Sequence, residues 1–152
     1  MRGDALLLLL RRLLPCPVHL HSSDDVMTPP ASSGATAYVV NTDWARGPGE
    51  HYVAFYVTRG SVRYYDSYGV PPYDLLLDWW RAWGLRRLAY SPHVLQSLDS
   101  DACAFHACAF LKCASLGVTY DAFLDTFPAS DSLADNDRHV RQLVRHFLAD
   151  TV

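Results

Sequence analysis

Residues 51–57 read HYVAFYV and residues 62–66 read VRYYD, two β-branched and aromatic runs separated by Thr58-Arg59-Gly60. Such runs fit a pleated surface, and a short glycine-containing break between them predicts a β-hairpin. The pattern also predicts a register. With Tyr56 opposite Ser61, Phe55 pairs with Val62, Val53 with Tyr64 and His51 with Asp66, so one face is apolar and ends in a His/Asp pair. The other face carries Tyr52/Tyr65, Ala54/Arg63 and Tyr56/Ser61. A one-residue slip would scatter the matched apolar face, which is why this pairing is favoured over its neighbours.

The flanking sequence supplies more strand and mostly helix. Ala37 to Asn41 is a β-branched strand candidate, and Asp43 to Glu50, with Gly47-Pro48-Gly49, reads as a turn. His19 to Gly34 is polar and loop-like, with one short extended segment at Val18 to Leu20. Asp4 to Leu14 predicts a helix capped by Asp4 and stopped by Pro15. Further helices are expected over Tyr73 to Trp83, Ala102 to Ser115, Tyr120 to Phe127 and Ser132 to Asp150, and an extended piece over Leu88 to Leu95. The fold class expected is α+β: one domain over 1–152 with a small mixed central β-sheet flanked by helices.

Composition narrows the function classes. The 152 residues suffice for a single core. Half of them are hydrophobic and 19% charged, which excludes an intrinsically disordered chain. A net charge of −3 argues against gripping nucleic acid through bulk charge. No apolar run approaches the roughly 18 residues that span a bilayer. The leucines of Met1 to Leu10 give way to Arg11 and Arg12 after fewer apolar residues than the about 7–15 of a signal peptide, so a first helix is expected and a secreted protein is not. Four cysteines are too few for a disulfide scaffold.

One of them, Cys103, opens a good helix after the cap-rich loop Ser97-Leu98-Asp99-Ser100-Asp101. Free backbone N–H groups and the helix dipole favour the thiolate there, the reactive form of the residue; a plain buried cysteine is the competing reading. Cys103, Cys108 and Cys113 diverge around their helix at about 0°, 140° and 280°, and with no CxxC pair this argues against a zinc site. His51 begins a strand after a glycine-rich turn and is the best placed of the seven histidines to act as a base, with Asp66 able to orient its ring. His106 lies on the helix of Cys103 itself and is read as packed or half-exposed. His19, His21, His93, His139 and His146 carry no partner signal and are assigned to loops or the last helix. Gln96, seven residues before Cys103, is placed so that its amide can join the Cys103 N–H in receiving an oxyanion.

The order His51, Asp66, Gln96, Cys103 resembles the adenovirus-type cysteine endopeptidases (adenain-like), in the clan of the SUMO and ubiquitin-like-protein proteases. VVNTDWARGPGEHYVAF is similar to that family's strand, glycine-rich loop and His-aromatic segment. YYDSYG resembles its aromatic-acidic motif, and VLQSLDSDACAFHACAFLKCAS its Gln segment and nucleophile helix. The resemblance implies a papain-like/adenain-like fold and a viral, or virus-like transposon, endopeptidase. Cys103 would be the nucleophile, His51 the base, Asp66 its orienting acid and Gln96 the oxyanion donor, with Tyr52 and Gly49 beside the substrate. It further implies viral capsid and core precursors as substrates, often cut next to small residues such as Gly, and action in the virion and host-cell nucleus or cytoplasm.

This sequence departs from the family in places. Ala104 follows the nucleophile where Gly is frequent, and Tyr52 follows the His where Trp is usual. Relatives are activated by DNA and by a disulfide-linked viral peptide. Here the chain is mildly acidic, its cysteines off the nucleophile helix reduce to Cys16, and Leu85 to Leu95 holds none; no cofactor is expected, and an activating viral peptide or DNA is implied by the resemblance alone, without support from this sequence's charge or cysteines. The basic cluster Arg81, Arg86 and Arg87 reads as a solvated helix end. Two other readings stand beside the endopeptidase: a protease that trims ubiquitin-like modifiers, and a non-catalytic virion structural or assembly module that keeps the fold.

Overall fold

The computed structural model describes residues 1–43 and 51–151. Its five helices and five strands are α1 (Gly3–Leu13), β1 (Val18–Ser22), β2 (Thr36–Asn41), β3 (Tyr52–Thr58), β4 (Ser61–Tyr65), α2 (Asp74–Ala82), β5 (Arg87–Tyr90), α3 (Cys103–Ser115), α4 (Tyr120–Asp125) and α5 (Leu133–Ala149). The strands form one mixed sheet in the order β1-β2-β3-β4-β5. Its outer pairs β1/β2 and β4/β5 are parallel and its inner pairs antiparallel. The fold is thus the expected α+β arrangement. Most of the Asp43–Glu50 turn, Gly49 included, lies outside the described residues.

The hairpin forms, but two positions away from the expected register. Thr58 opposes Ser61, Val57 opposes Val62 and Phe55 opposes Tyr64. The connection contracts to Arg59-Gly60, with Gly60 at φ 71°, a conformation cheap only for glycine, so Thr58 and Ser61 enter the ladder. Because the displacement is even, every side chain keeps its expected face. His51 and Asp66 are consequently not cross-strand partners and meet beyond the end of the ladder.

Both faces of the sheet are covered. Val53, Phe55, Val57, Val62 and Tyr64 pack with Tyr38, Val40 and Met27 against Leu76 and Trp80 of α2. Tyr52, Ala54, Tyr56 and Tyr65 form the second face, packed against α1 and α3, with α4 and α5 completing that layer. The expectation of one apolar face was too modest, because tyrosine buries its ring as readily as phenylalanine when its hydroxyl is provided for. Helix α3 explains the thickness of this layer. AFHACAFLKCA has apolar residues around most of its circumference, and such a helix belongs inside a protein; Cys108 and Cys113 are buried core residues.

Three local expectations need correction. Asp4 does not cap α1; Arg2 holds that position without a side-chain bond, and the Asp4 carboxylate accepts from the N–H of Ala5 at 2.9 Å. The extended segment expected at Val18 to Leu20 runs on to Ser22, so His21 lies on β1 with His19 rather than in a loop, their rings 6.5 and 5.3 Å from that of Tyr38. Ser97 to Asp101 supplies no side-chain cap to α3: Ala102 is the N-cap, and its own N–H donates to Ser100 Oγ at 3.0 Å. Among the described residues no helix is long and apolar enough to cross a membrane.

Candidate active site

The uncapped start of α3 shapes the site. Cys103 is the first residue of the helix, half-buried, with the first-turn N–H groups left open around it. Burial pushes its thiol up, but this is outweighed by a hydrogen bond with His51, by the N–H of Tyr52, by the charge of His51 and by the N–H of Ala104, so the pKa falls below the ordinary cysteine value. The positive end of the helix dipole acts in the same direction.

His51 immediately precedes β3, the central strand of the sheet. Its Nε2 lies 2.7 Å from Asp66 Oδ1, with the two side chains 13% and 5% exposed. This leaves Nδ1 as the ring nitrogen that faces Cys103. Burial disfavours the imidazolium, yet hydrogen bonds to Asp66 and Cys103, with their charges, win and raise its pKa to about 9. An acid raised on one side and a thiol lowered on the other favour a thiolate–imidazolium pair at neutral pH.

The structure pairs His51 with Asp66 by a hydrogen bond and sets Cys103 close enough to the same ring that each shifts the other's titration. Gln96 stands beside it, fully buried on the segment leading from β5 to α3. Its Oε1 accepts from Ser67 Oγ at 2.6 Å and its Nε2 donates to the carbonyl of Ser100 at 2.8 Å, which leaves the second amide proton without a partner among the described residues. The N–H groups of Leu95 and Gln96 both donate to Ser67 O, tying this segment to the residue after Asp66. Tyr52 reaches Cys103 through its backbone, while its ring is buried in the core at 8% exposure. Gly49 lies outside the described residues.

Two elements of the site escape a reading of the sequence. Tyr68 stacks on His51 with ring centroids 4.5 Å apart, and its N–H donates to Asp66 Oδ1 at 2.8 Å. The signal was present in YYDSYG, whose last aromatic follows Asp66 by two. His106 is the second: of the packed and half-exposed readings the packed one holds, but its partners were not foreseen, its Nδ1 2.8 Å from Tyr65 Oη and its Nε2 2.9 Å from Asp137 Oδ1. Among the described residues no group of three or more His, Cys, Asp or Glu could hold a metal ion.

No family model matches the chain, and no curated protein does. Among solved structures it is similar to the ASFV pS273R protease, with a TM-score of 0.51 and 18% identity over 70% of this chain. The selenomethionine form of that protease gives a TM-score of 0.51 at 20% identity over 69% of the chain. The fold is like that of a viral cysteine protease. The likeness is one of fold, and the chain spans only 42–43% of the length of that protein.

Proposed function

We propose that this protein is a cysteine endopeptidase of the adenain-like type that processes viral structural precursors. One observation carries the reading: His51 sits between Asp66 and a cysteine at an uncapped helix N-terminus, with both pKa values displaced toward the ion pair. That arrangement is what attack on a carbonyl needs. The Cys103 thiolate adds to the scissile carbonyl carbon. The oxyanion is received by the Cys103 N–H and the second amide proton of Gln96. The His51 imidazolium gives its proton to the leaving amine, releasing the C-terminal product and leaving an acyl-enzyme. A water, deprotonated by His51, then adds to the thioester, and collapse releases the N-terminal product as a carboxylic acid and restores the thiolate–imidazolium pair. Asp66 keeps the ring oriented and its Nε2–H satisfied throughout. The fold shared with the ASFV pS273R protease supports a protease in general, and the precursor substrates follow from the sequence resemblance.

The test is labelling with a peptidyl electrophile ending in Gly-Gly or Gly-Ala. Modification at Cys103, lost in Cys103→Ala and His51→Ala, is expected. Equal reaction at Cys108 or Cys113, or no effect of His51→Ala, would overturn the dyad.

A further inference from the structure

Asp137 of α5 does what no group in the proposed mechanism requires: it places a carboxylate behind the nucleophile helix. Its Oδ1 meets His106 Nε2 at 2.9 Å, and its Oδ2 accepts from the N–H of Ser97 at 3.3 Å. The Ser100 side chain helps hold this carboxyl below its usual range. Ser97 and Ser100 belong to the short loop between Gln96 and Cys103. That loop is also held from inside, since Gln96 Nε2 donates to Ser100 O and Ala102 N–H to Ser100 Oγ.

We propose that Asp137, with His106 and Tyr65 behind it, is the positioning group that sets the oxyanion loop, and so the distance between the Gln96 amide and the Cys103 N–H. The inference rests on the endopeptidase reading above. One carboxylate bridges α3, α5 and this loop, so the loop cannot move without disturbing its bond to a buried charge that also holds His106. The hydrogen bonds also fix the state of His106. Nε2–H donates to Asp137, so Nδ1 accepts from the Tyr65 hydroxyl, which makes the ring a neutral spacer of fixed tautomer rather than a second base. Its ring nitrogens are both taken up by Tyr65 and Asp137, so the ring serves the loop and not the reacting atoms.

The experiment separates positioning from thiol activation. Iodoacetamide needs a thiolate and no oxyanion hole; a peptidyl-Gly thioester and a peptide aldehyde need both. In Asp137→Asn the alkylation rate of Cys103 and its pH profile are expected to stay within about threefold of wild type. Acylation by the thioester falls about 10- to 100-fold with KM little altered, and aldehyde affinity falls in parallel. Ser100→Ala removes one tie to the loop without touching the His106–Asp137 bond, and should show the same split in smaller measure even if Asp137→Asn folds poorly. A slowly exchanging His106 Nε2–H resonance, seen in wild type and Ser100→Ala and lost in Asp137→Asn, reads the network without any turnover. Parallel loss of alkylation and acylation, or no change in either, overturns the positioning role. A wild-type protein that alkylates at Cys103 yet takes neither thioester nor aldehyde overturns the endopeptidase reading instead.

Discussion

Tyr68 lies against the ring of His51, centroids 4.5 Å apart and planes 26° from parallel, while its backbone N–H shares Asp66 Oδ1 with His51 Nε2. One residue thus braces both members of the pair. An aromatic face over a charged imidazolium is worth about 0.5–1 kcal/mol. Tyr68→Ala should therefore lower the pKa of His51 and reduce kcat/KM a few-fold, about the factor that this energy implies. Tyr68→Phe keeps the face and the backbone bond and should behave as wild type. If the two variants lose activity equally, the hydroxyl rather than the stack matters.

The pH profile follows from the two displaced groups. Activity should rise as Cys103 ionises below the ordinary cysteine range and fall as His51 loses its proton near 9; the two limbs belong to the coupled pair. Asp66→Asn keeps an acceptor for Nε2 but removes the charge, so the alkaline limb should move down by about 1–3 units. Stability carries the same signature. A raised folded-state pKa on His51 stabilises the protein fully below the ordinary histidine value and ceases to do so as pH climbs through about 9. The stability gap between wild type and His51→Ala in urea should thus be wide near neutrality and close above pH 9. A gap that widens there would contradict the raised value.

Thiol chemistry distinguishes the four cysteines. Burial pushes Cys108 up to about 12 and raises Cys113 and Cys16, and only Cys103 is lowered. Limited iodoacetamide near neutral pH should modify Cys103 at least about tenfold faster than any other thiol, with the rest reacting on unfolding. Peptide mapping of the alkylated protein reads this directly.

How much of this was legible in the sequence depended on distance along the chain. The hairpin faces were, because alternation fixes parity, but the register was not: a two-residue loop at Gly60 and a longer one satisfy the same alternation. Helix α3 was legible from its apolar content, yet its missing side-chain cap was not, since Ser97, Asp99, Ser100 and Asp101 all look like caps. The His51/Asp66 pair was drawn from a hairpin register that does not form, and the two side chains meet beyond the ladder instead. Asp137 had a faint signal in being a carboxylate on the apolar side of α5, i−3 and i−7 from buried Val140 and Val144. Nothing in the sequence named its partner, because contacts between helices depend on how they pack.

Gly69 shows how a turn distant from the thiol sets the site. Its φ is 70°, and a Cβ there would sit 2.3 Å from the carbonyl oxygen of Pro92 and 3.0 Å from the carbonyl carbon of His93. These are backbone atoms of the segment leading to Gln96, and they have no flexible tip to yield. That segment is fastened to the turn through Ser67 O, which accepts from Leu95 and Gln96. Gly60, at φ 71°, would place a Cβ no closer than 4.0 Å to the end of the Arg87 side chain. Gly60→Ala should cost only the left-handed backbone penalty of about 1–2 kcal/mol. Gly69→Ala adds an overpacking cost, for about 2–5 kcal/mol in all, and should also slow acylation by pushing Gln96 away from Cys103. Urea unfolding and thioester acylation of both variants measure this. Equal destabilisation of the two, or a Gly69→Ala protein that acylates at the wild-type rate, would show that the Pro92 contact does not hold Gln96 in place.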